Sequence, residues 1–227
     1  MHSLLNTFAV LATLCVTSLP VSALADRITV GAFEIDLTEV TVSEFTAFAD
    51  EAGLITAAER DGGGFEWGAG WERRSGWNFR NPYGKPAAPD EPAVHVSWEE
   101  ANQYCRAANG RLPTRKEWIS AAYTEQRLKP TNGLITGQTY KYPVGDTAGG
   151  MNNSRKRHVP VATTIQGVNG LYDMGANVWE WLADRQEGEA LTAGGSWWYG
   201  PEQTRVNSMQ WKPADFYVVY IGFRCIY

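Results

Sequence analysis

The chain is poor in the residues on which transition-metal sites usually rely, with three cysteines and three histidines in 227 residues. A zinc or copper centre therefore has few soft or imidazole ligands to draw on. An excess of positive charge is also missing. The formal net charge is −5, which argues against nucleic acid and anionic membrane surfaces as partners. The absence of internal repeats, low-complexity blocks and charge-rich tails favours one compact unit.

The most local absence is at the start. Residues 1–25 contain no Asp, Glu, Lys or Arg, and an apolar run from Phe8 to Leu19 leads to Ala23-Leu24-Ala25 ahead of Asp26. That pattern predicts a secretory signal peptide over 1–25 with cleavage before Asp26. Cys15 is a poor lipidation site because the large Leu14 precedes it. The run is also short for an uncleaved anchor of about 20 residues. The expected chain is a periplasmic or secreted domain over 26–227, monomeric and free of the membrane after cleavage. In an oxidising compartment the remaining cysteines, Cys105 and Cys225, read first as a disulfide closing a long loop and second as metal ligands.

What the chain has in quantity is tryptophan, ten of them between Trp67 and Trp211. They fit an aromatic, loop-stabilised interior as well as a binding cleft. Residues 28–37 alternate well enough for a strand or hairpin. Three S/T-x-x-E boxes then mark helix starts at Thr41 with Glu44, Ser97 with Glu100 and Thr114 with Glu117. Gly53 and Gly110 are the expected stops of the first two. The first helix turns Phe45, Phe48, Ala49 and Ala52 inward, the second Ala101, Tyr104, Cys105 and Ala108, the third Trp118, Ala121 and Ala122. Between Thr56 and Pro92 no period holds, which predicts an ordered long loop packed by Phe65, Trp67, Trp71, Trp77 and Phe79. The basic run Arg155 to His158 reads as a solvated loop rather than an anion site. Glycines at 194 and 195 suggest a bulge or a close backbone approach.

The stretch Gly170 to Trp181 mixes apolar anchors with spaced acidic oxygens. Asp173, Glu180 and the carbonyls between them suit a hard cation such as calcium, which takes six to eight oxygens. The alternative is that Asp173 caps a turn and Glu180 is a solvated strand residue.

Six ordered motifs carry a family resemblance: Val94-His95-Val96-Ser97-Trp98, Arg111-Leu112-Pro113-Thr114 with Glu117-Trp118, Gly170-Leu171-Tyr172-Asp173-Met174, Asn177-Val178-Trp179-Glu180-Trp181, Gly194-Gly195-Ser196 and Gly222-Phe223-Arg224. Over about residues 30–227 the chain resembles formylglycine-generating enzymes, the sulfatase-modifying factors. The resemblance implies a single α+β domain of C-type-lectin character with little regular secondary structure. It implies calcium at Asp173, Ala176, Val178 and Glu180, with Ala176 standing where glycine is usual. A second ion near Asn152 or Asn153 is doubtful, since the following segment is short and basic. It implies a Cys105–Cys225 disulfide. The two copper-binding cysteines of the genuine enzymes fall at Tyr199 and Thr204, so copper is not expected and formylglycine chemistry does not carry over.

Two functions follow as expectations. One is a periplasmic maturation factor or oxidoreductase, akin to cysteine-less members that mature siderophores or accompany nitrite reductases. It would act on a protein, peptide or small molecule in a cleft containing Trp179, Ser196, Tyr199 and Glu202. Tyr199 and Glu202 would transfer protons, the carboxyl having its pKa raised beside indoles. The other is a non-catalytic, calcium-stabilised binding module for a partner protein.

Overall fold

The polypeptide folds around one strand whose two faces are both buried. In the computed structural model, which describes residues 26–227, β1 (Arg27–Val30) and β2 (Phe33–Asp36) form the predicted hairpin. Helix α1 (Val42–Ala52) follows, capped by Thr41 and Glu44 and ended by Gly53 at φ 61°. Left-handed backbone is where glycine has no steric cost. Phe45 and Ala49 are buried as the spacing predicts, while Ala52 is exposed.

The expected long loop after Thr56 is in fact structured. A fourth capping box, Thr56 with Glu59, opens the single turn α2 (Ala57–Arg60), and β3 (Gly63–Trp67) pairs with β4 (Trp71–Ser75) in an antiparallel hairpin. This capping box was legible. The hairpin was not, because Arg73, Arg74, Glu66 and Glu72 fill it with ion pairs instead of an apolar alternation.

Helix α3 (Trp98–Ala107) starts at Ser97, and Glu100 also accepts the Ala57 amide at 2.6 Å, which ties α2 to α3. Its end differs from expectation. Asn109, at φ 61°, makes the left-handed turn. Gly110 serves close approach instead, since a Cβ there would lie 2.6 Å from the Ile226 carbonyl. Helix α4 (Arg115–Tyr123) begins at Thr114 and buries Trp118, Ala121 and Ala122. Cys105 on α3 is bonded to Cys225 near the C-terminus, with Cα atoms 5.5 Å apart.

The largest sheet has four strands in the order β7 (Gln210–Pro213), β6 (Glu189–Ala193), β5 (Trp179–Gln186), β8 (Ile221–Gly222), with only β5 and β8 parallel. Alternation along β5 sends Trp179 and Trp181 into one apolar cluster with Phe79, Val94, Val96 and Phe223. Leu182 joins a second cluster with Trp118, Leu171 and Met174, and Glu180 bonds to Trp118 on that side. No helix among the described residues is long and apolar enough to cross a membrane. The segment 1–25, with the predicted signal peptide, lies outside the described residues.

Candidate functional site

The loop from Asp173 to Glu180 enters β5 through three left-handed non-glycine residues, Asp173, Ala176 and Asn177. Each such residue costs of order 1 kcal/mol or more, so the surrounding contacts must hold the loop in place. Those contacts are extensive. The Asn177 amide donates to both oxygens of Glu39, and its own oxygen accepts from Val159 N–H and the Asn152 amide. Glu39 is fully buried, and burial holds its carboxyl well above the usual range, Asp173 being the next contributor.

Glu180 is neither solvated nor free. Its Oε1 accepts from Arg224 at 2.7 and 2.9 Å, and its Oε2 accepts from the Trp118 indole at 2.7 Å and from Arg224 at 3.0 Å. Both partners are essentially inaccessible to solvent. Arg224 also donates to the carbonyls of Asp36, Leu37 and Tyr172, so the guanidinium is saturated. Asp173 accepts from Ala162 N–H and from the Thr164 hydroxyl, and burial raises its pKa.

As arranged, the Glu180 carboxylate of the expected calcium site is therefore fully engaged by protein donors. Glu180 has four acceptor directions and all are used, with Arg224 supplying the positive charge. Among the described residues no group of three or more Asp, Glu, His or Cys is disposed to hold a metal. Calcium here would require Glu180 to give up Arg224 or Trp118. Asn152 donates through Nδ2 to the Arg157 carbonyl and Asn177 Oδ1 and accepts at Oδ1 from Ser154 N–H, while Asn153 Nδ2 donates to the Tyr199 carbonyl.

On the other face of β5 the picture reverses. Gly194 and Gly195, both left-handed, turn the chain out of β6 because a Cβ on either would press on backbone at about 3 Å from Met174 or Gln203. The turn Ser196 to Tyr199 that follows closes with Tyr199 N–H donating to the Ser196 carbonyl at 3.0 Å. Tyr199 packs edge-on to Trp179, with ring centres 5.8 Å apart, and to Tyr220 at 6.2 Å. Burial raises the pKa of its hydroxyl, partly offset by the neighbouring Tyr220 hydroxyl and Trp179 indole. The Trp179 N–H nevertheless makes no well-formed hydrogen bond, and neither do the Ser196 hydroxyl and the Trp197 N–H, although all three atoms are buried. The ammonium of Lys212 stands over the Trp179 ring at 4.9 Å, and burial lowers its pKa to about 8.

The fold thus brings Trp179, Ser196 and Tyr199 together and leaves Glu202 apart. Glu202 lies exposed in the single 3-10 turn Pro201–Thr204, away from the buried indoles it was expected to sit beside. Thr204 is buried with its hydroxyl bonded to the Pro201 carbonyl. His158, expected in a solvated loop, is buried between Glu91 at 2.7 Å and the Tyr83 hydroxyl at 3.1 Å, while Arg157 pairs with Glu91. The neighbours that sequence reasoning missed are Trp67, Trp71, Tyr220 and Lys212. Trp67 and Trp71 were visible as aromatics, but only the hairpin carries them to the Tyr199 turn, where they share a hollow of about 300 Å³ with Trp198, Tyr199 and Tyr220.

The family described as sulfatase-modifying factor enzyme 1-like matches residues 17–227. The chain belongs to that family. It is 30% identical over 192 residues to the formylglycine-generating enzyme of Bos taurus, covering 70% of this chain and 50% of that protein. It is 31% identical over 173 residues to the hercynine oxygenase of Mycolicibacterium thermoresistibile, covering 70% and 37%. To the inactive C-alpha-formylglycine-generating enzyme 2 of Mus musculus it is 29% identical over 251 residues, covering 88% and 77%. The chain thus spans about half the length of the formylglycine-generating enzyme it matches. Among solved structures, PvdO from Pseudomonas aeruginosa superposes with a TM-score of 0.59 at 19% identity, covering 86% of this chain and 79% of that one. CarF gives 0.58 at 22% identity, covering 89% and 93%. These establish the fold: one α+β domain of the formylglycine-generating-enzyme type, with C-type-lectin-like character and little regular secondary structure.

Proposed function

We propose that this family member is an exported maturation factor or oxidoreductase-like protein that acts on a protein or small-molecule substrate at the Trp179–Ser196–Tyr199 cleft. The observation that carries the reading is that the buried Ser196 hydroxyl and Trp197 N–H make no well-formed hydrogen bond, while the Trp179 indole has only its contact with the Tyr199 hydroxyl. Each costs about 1 to 3 kcal/mol when left unsatisfied, and a fold that satisfies Glu180, Arg224 and Asn177 so completely keeps them for a use. Within the cleft Tyr199 is the proton-transfer candidate, held protonated by burial, while Ser196 and the two indoles are donors for a bound polar group. Export is supported by the disulfide, which belongs to an oxidising compartment.

The chemistry is not that of formylglycine formation. Cys105 and Cys225 are consumed by the disulfide, and the places where resembling enzymes carry copper thiolates hold Tyr199 and Thr204. A phenol and an alcohol are poor ligands for a soft monovalent ion. Incubation with copper(I), oxygen and a cysteine-containing sulfatase peptide is expected to give no formylglycine by mass spectrometry. Turnover above a no-enzyme control would overturn this assignment of the loop.

A second reading, a binding module without catalysis, draws support from the exposure of Trp67, Trp71 and Trp198 around the same cleft. Gene deletion and complementation separate the two. A strain lacking the gene is expected to accumulate an unmatured exported protein or metabolite, and Tyr199→Phe is expected to behave like the deletion while folding normally. Full complementation by Tyr199→Phe would remove the catalytic reading and leave the binding one.

A further inference from the structure

We propose that the hollow over Tyr199 is a binding site for a quaternary, fully methylated ammonium group. The proposal rests on the reading of this cleft as the working site, and names the class of group it takes. Every residue lining the hollow is aromatic: Trp67, Trp71, Trp198, Tyr199 and Tyr220. Trp67 and Trp71 are directly paired across the β3–β4 hairpin, with ring centres 5.1 Å apart and planes at 79°. Trp71 lies 6.0 Å from Tyr220 at 43°, and Tyr220 lies 6.2 Å from Tyr199 at 83°. The ring faces therefore point in several directions around one space.

That geometry selects the shape and the charge of the occupant. A flat ring can stack on only one of these faces, whereas a compact tetrahedral cation touches several negative faces at once. The selection among cations follows from hydrogen bonding. Two phenol hydroxyls and the indole N–H groups are the only polar atoms in the lining side chains, with no carboxylate or amide, so a primary ammonium would find at most the two phenol oxygens to replace the water bonds it loses. A quaternary ammonium has no such bonds to lose.

The surroundings permit a cation. Arg74 is paired with Glu66 and Glu72, Arg73 with Asp61, and the Lys212 ammonium is drawn onto the Trp179 ring, which does not line the hollow. The site is open to solvent, because Trp67 and Trp71 are each 45% exposed and Trp198 39%, while Tyr220, at 3%, forms the floor. A volume of about 300 Å³ exceeds that of the methylated head alone, leaving room for part of the molecule that carries it.

The test compares choline with 3,3-dimethylbutan-1-ol, which has the same shape without the charge, by calorimetric titration of the purified chain. Choline is expected to bind at least about tenfold more tightly, the scale of a desolvated cation–π contact. Trp71→Leu and Trp67→Leu should each remove most of that preference. Both side chains stand at the rim, so the melting temperature should hold, and it is measured to exclude unfolding. Equal binding of the two ligands, or no choline binding at millimolar concentration, would overturn the proposal. A trimethyllysine peptide that binds more tightly than choline, beside an unmodified peptide that does not bind, would support a protein-borne group; the reverse order would support a free small molecule. Failure of the cage leaves the Tyr199→Phe complementation result standing, so the two readings fail separately.

Discussion

Glu180 and Trp179 are adjacent in one strand and end in opposite kinds of surroundings. The Glu180 side is closed: every acceptor of its carboxylate is used, and its arginine spends the remaining donors on three carbonyls. The Trp179 side is buried but incompletely bonded: the Trp179, Ser196 and Trp197 side chains each keep a polar atom without a well-formed hydrogen bond, and Tyr199, which packs on Trp179, lines the aromatic hollow. In a low-dielectric interior a completed polar network fixes one arrangement, whereas an incomplete one is unfavourable unless something else completes it. The contrast separates the part of the family's motif whose polar groups are all bonded within the domain from the part whose polar groups are not.

The largest test removes the tie beneath both sides. Reducing Cys105–Cys225, which closes a loop of sequence separation 120, is expected to cost on the order of 4 to 5 kcal/mol by chain entropy. Denaturant unfolding with and without reductant measures it. Two free thiols by intact mass under oxidising conditions would remove the bond from the account.

The closed side should then prove fragile to any single change. Glu180→Gln strands the Arg224 charge in the core and is expected to lose about 3 to 5 kcal/mol in denaturant unfolding. A loss under about 1 kcal/mol would mean that water reaches the pair.

One acceptor on this side is incomplete, and pH exposes it. Burial lifts the Asp36 carboxyl from 3.8 to about 6, against the opposing Cys225 N–H and Tyr227 hydroxyl, and its Oδ1 makes no well-formed hydrogen bond. Because the folded pKa is the higher one, the associated stability is fully present below about pH 4 and is lost as pH rises through about 6. Asp36→Asn is expected to flatten that part of the pH profile by on the order of 2 to 3 kcal/mol between pH 4 and 7.5. Melting temperatures of wild type and variant across that range decide it, and parallel profiles would contradict the assignment.

On the Trp179 side the same kind of change should do little to stability. Ser196→Ala deletes an unpaired hydroxyl and is expected to be neutral or stabilising by up to about 1 kcal/mol, while impairing complementation in the deletion strain. A loss above about 2 kcal/mol would show that the hydroxyl is engaged after all.

The smallest expected effect is from calcium. With Arg224 already neutralising Glu180, a chelator should leave the melting temperature unchanged. A clear fall, abolished by Asp173→Asn, would show that Glu180 exchanges Arg224 for an ion.

Much of the frame could be read from residue order. The capping boxes at Thr41, Ser97 and Thr114 name helix starts because their hydrogen bonds run between residues three apart. The box at Thr56 obeys the same rule and opens a helix of a single turn. The family is likewise legible, since its motifs are short and contiguous. The roles of individual carboxylates are less so. Asp173 and Glu180 offer oxygen ligands on paper, and Glu202 sits near tryptophans in sequence, yet their fates depend on Arg224, Thr164 and solvent.

The sequence by itself determined the capped helix starts and the single α+β domain, since those rest on nearest-neighbour hydrogen bonds and contiguous family motifs, and it favoured a Cys105–Cys225 disulfide over metal ligation. Tertiary structure alone decided which face of β5 has its polar groups fully bonded and which does not. The Glu180–Arg224 pair spans 44 residues, and the hollow gathers a hairpin at 67–71, a turn at 198–199 and Tyr220. Burial and partner saturation arise from such long-range meetings, and no periodicity along the chain encodes them.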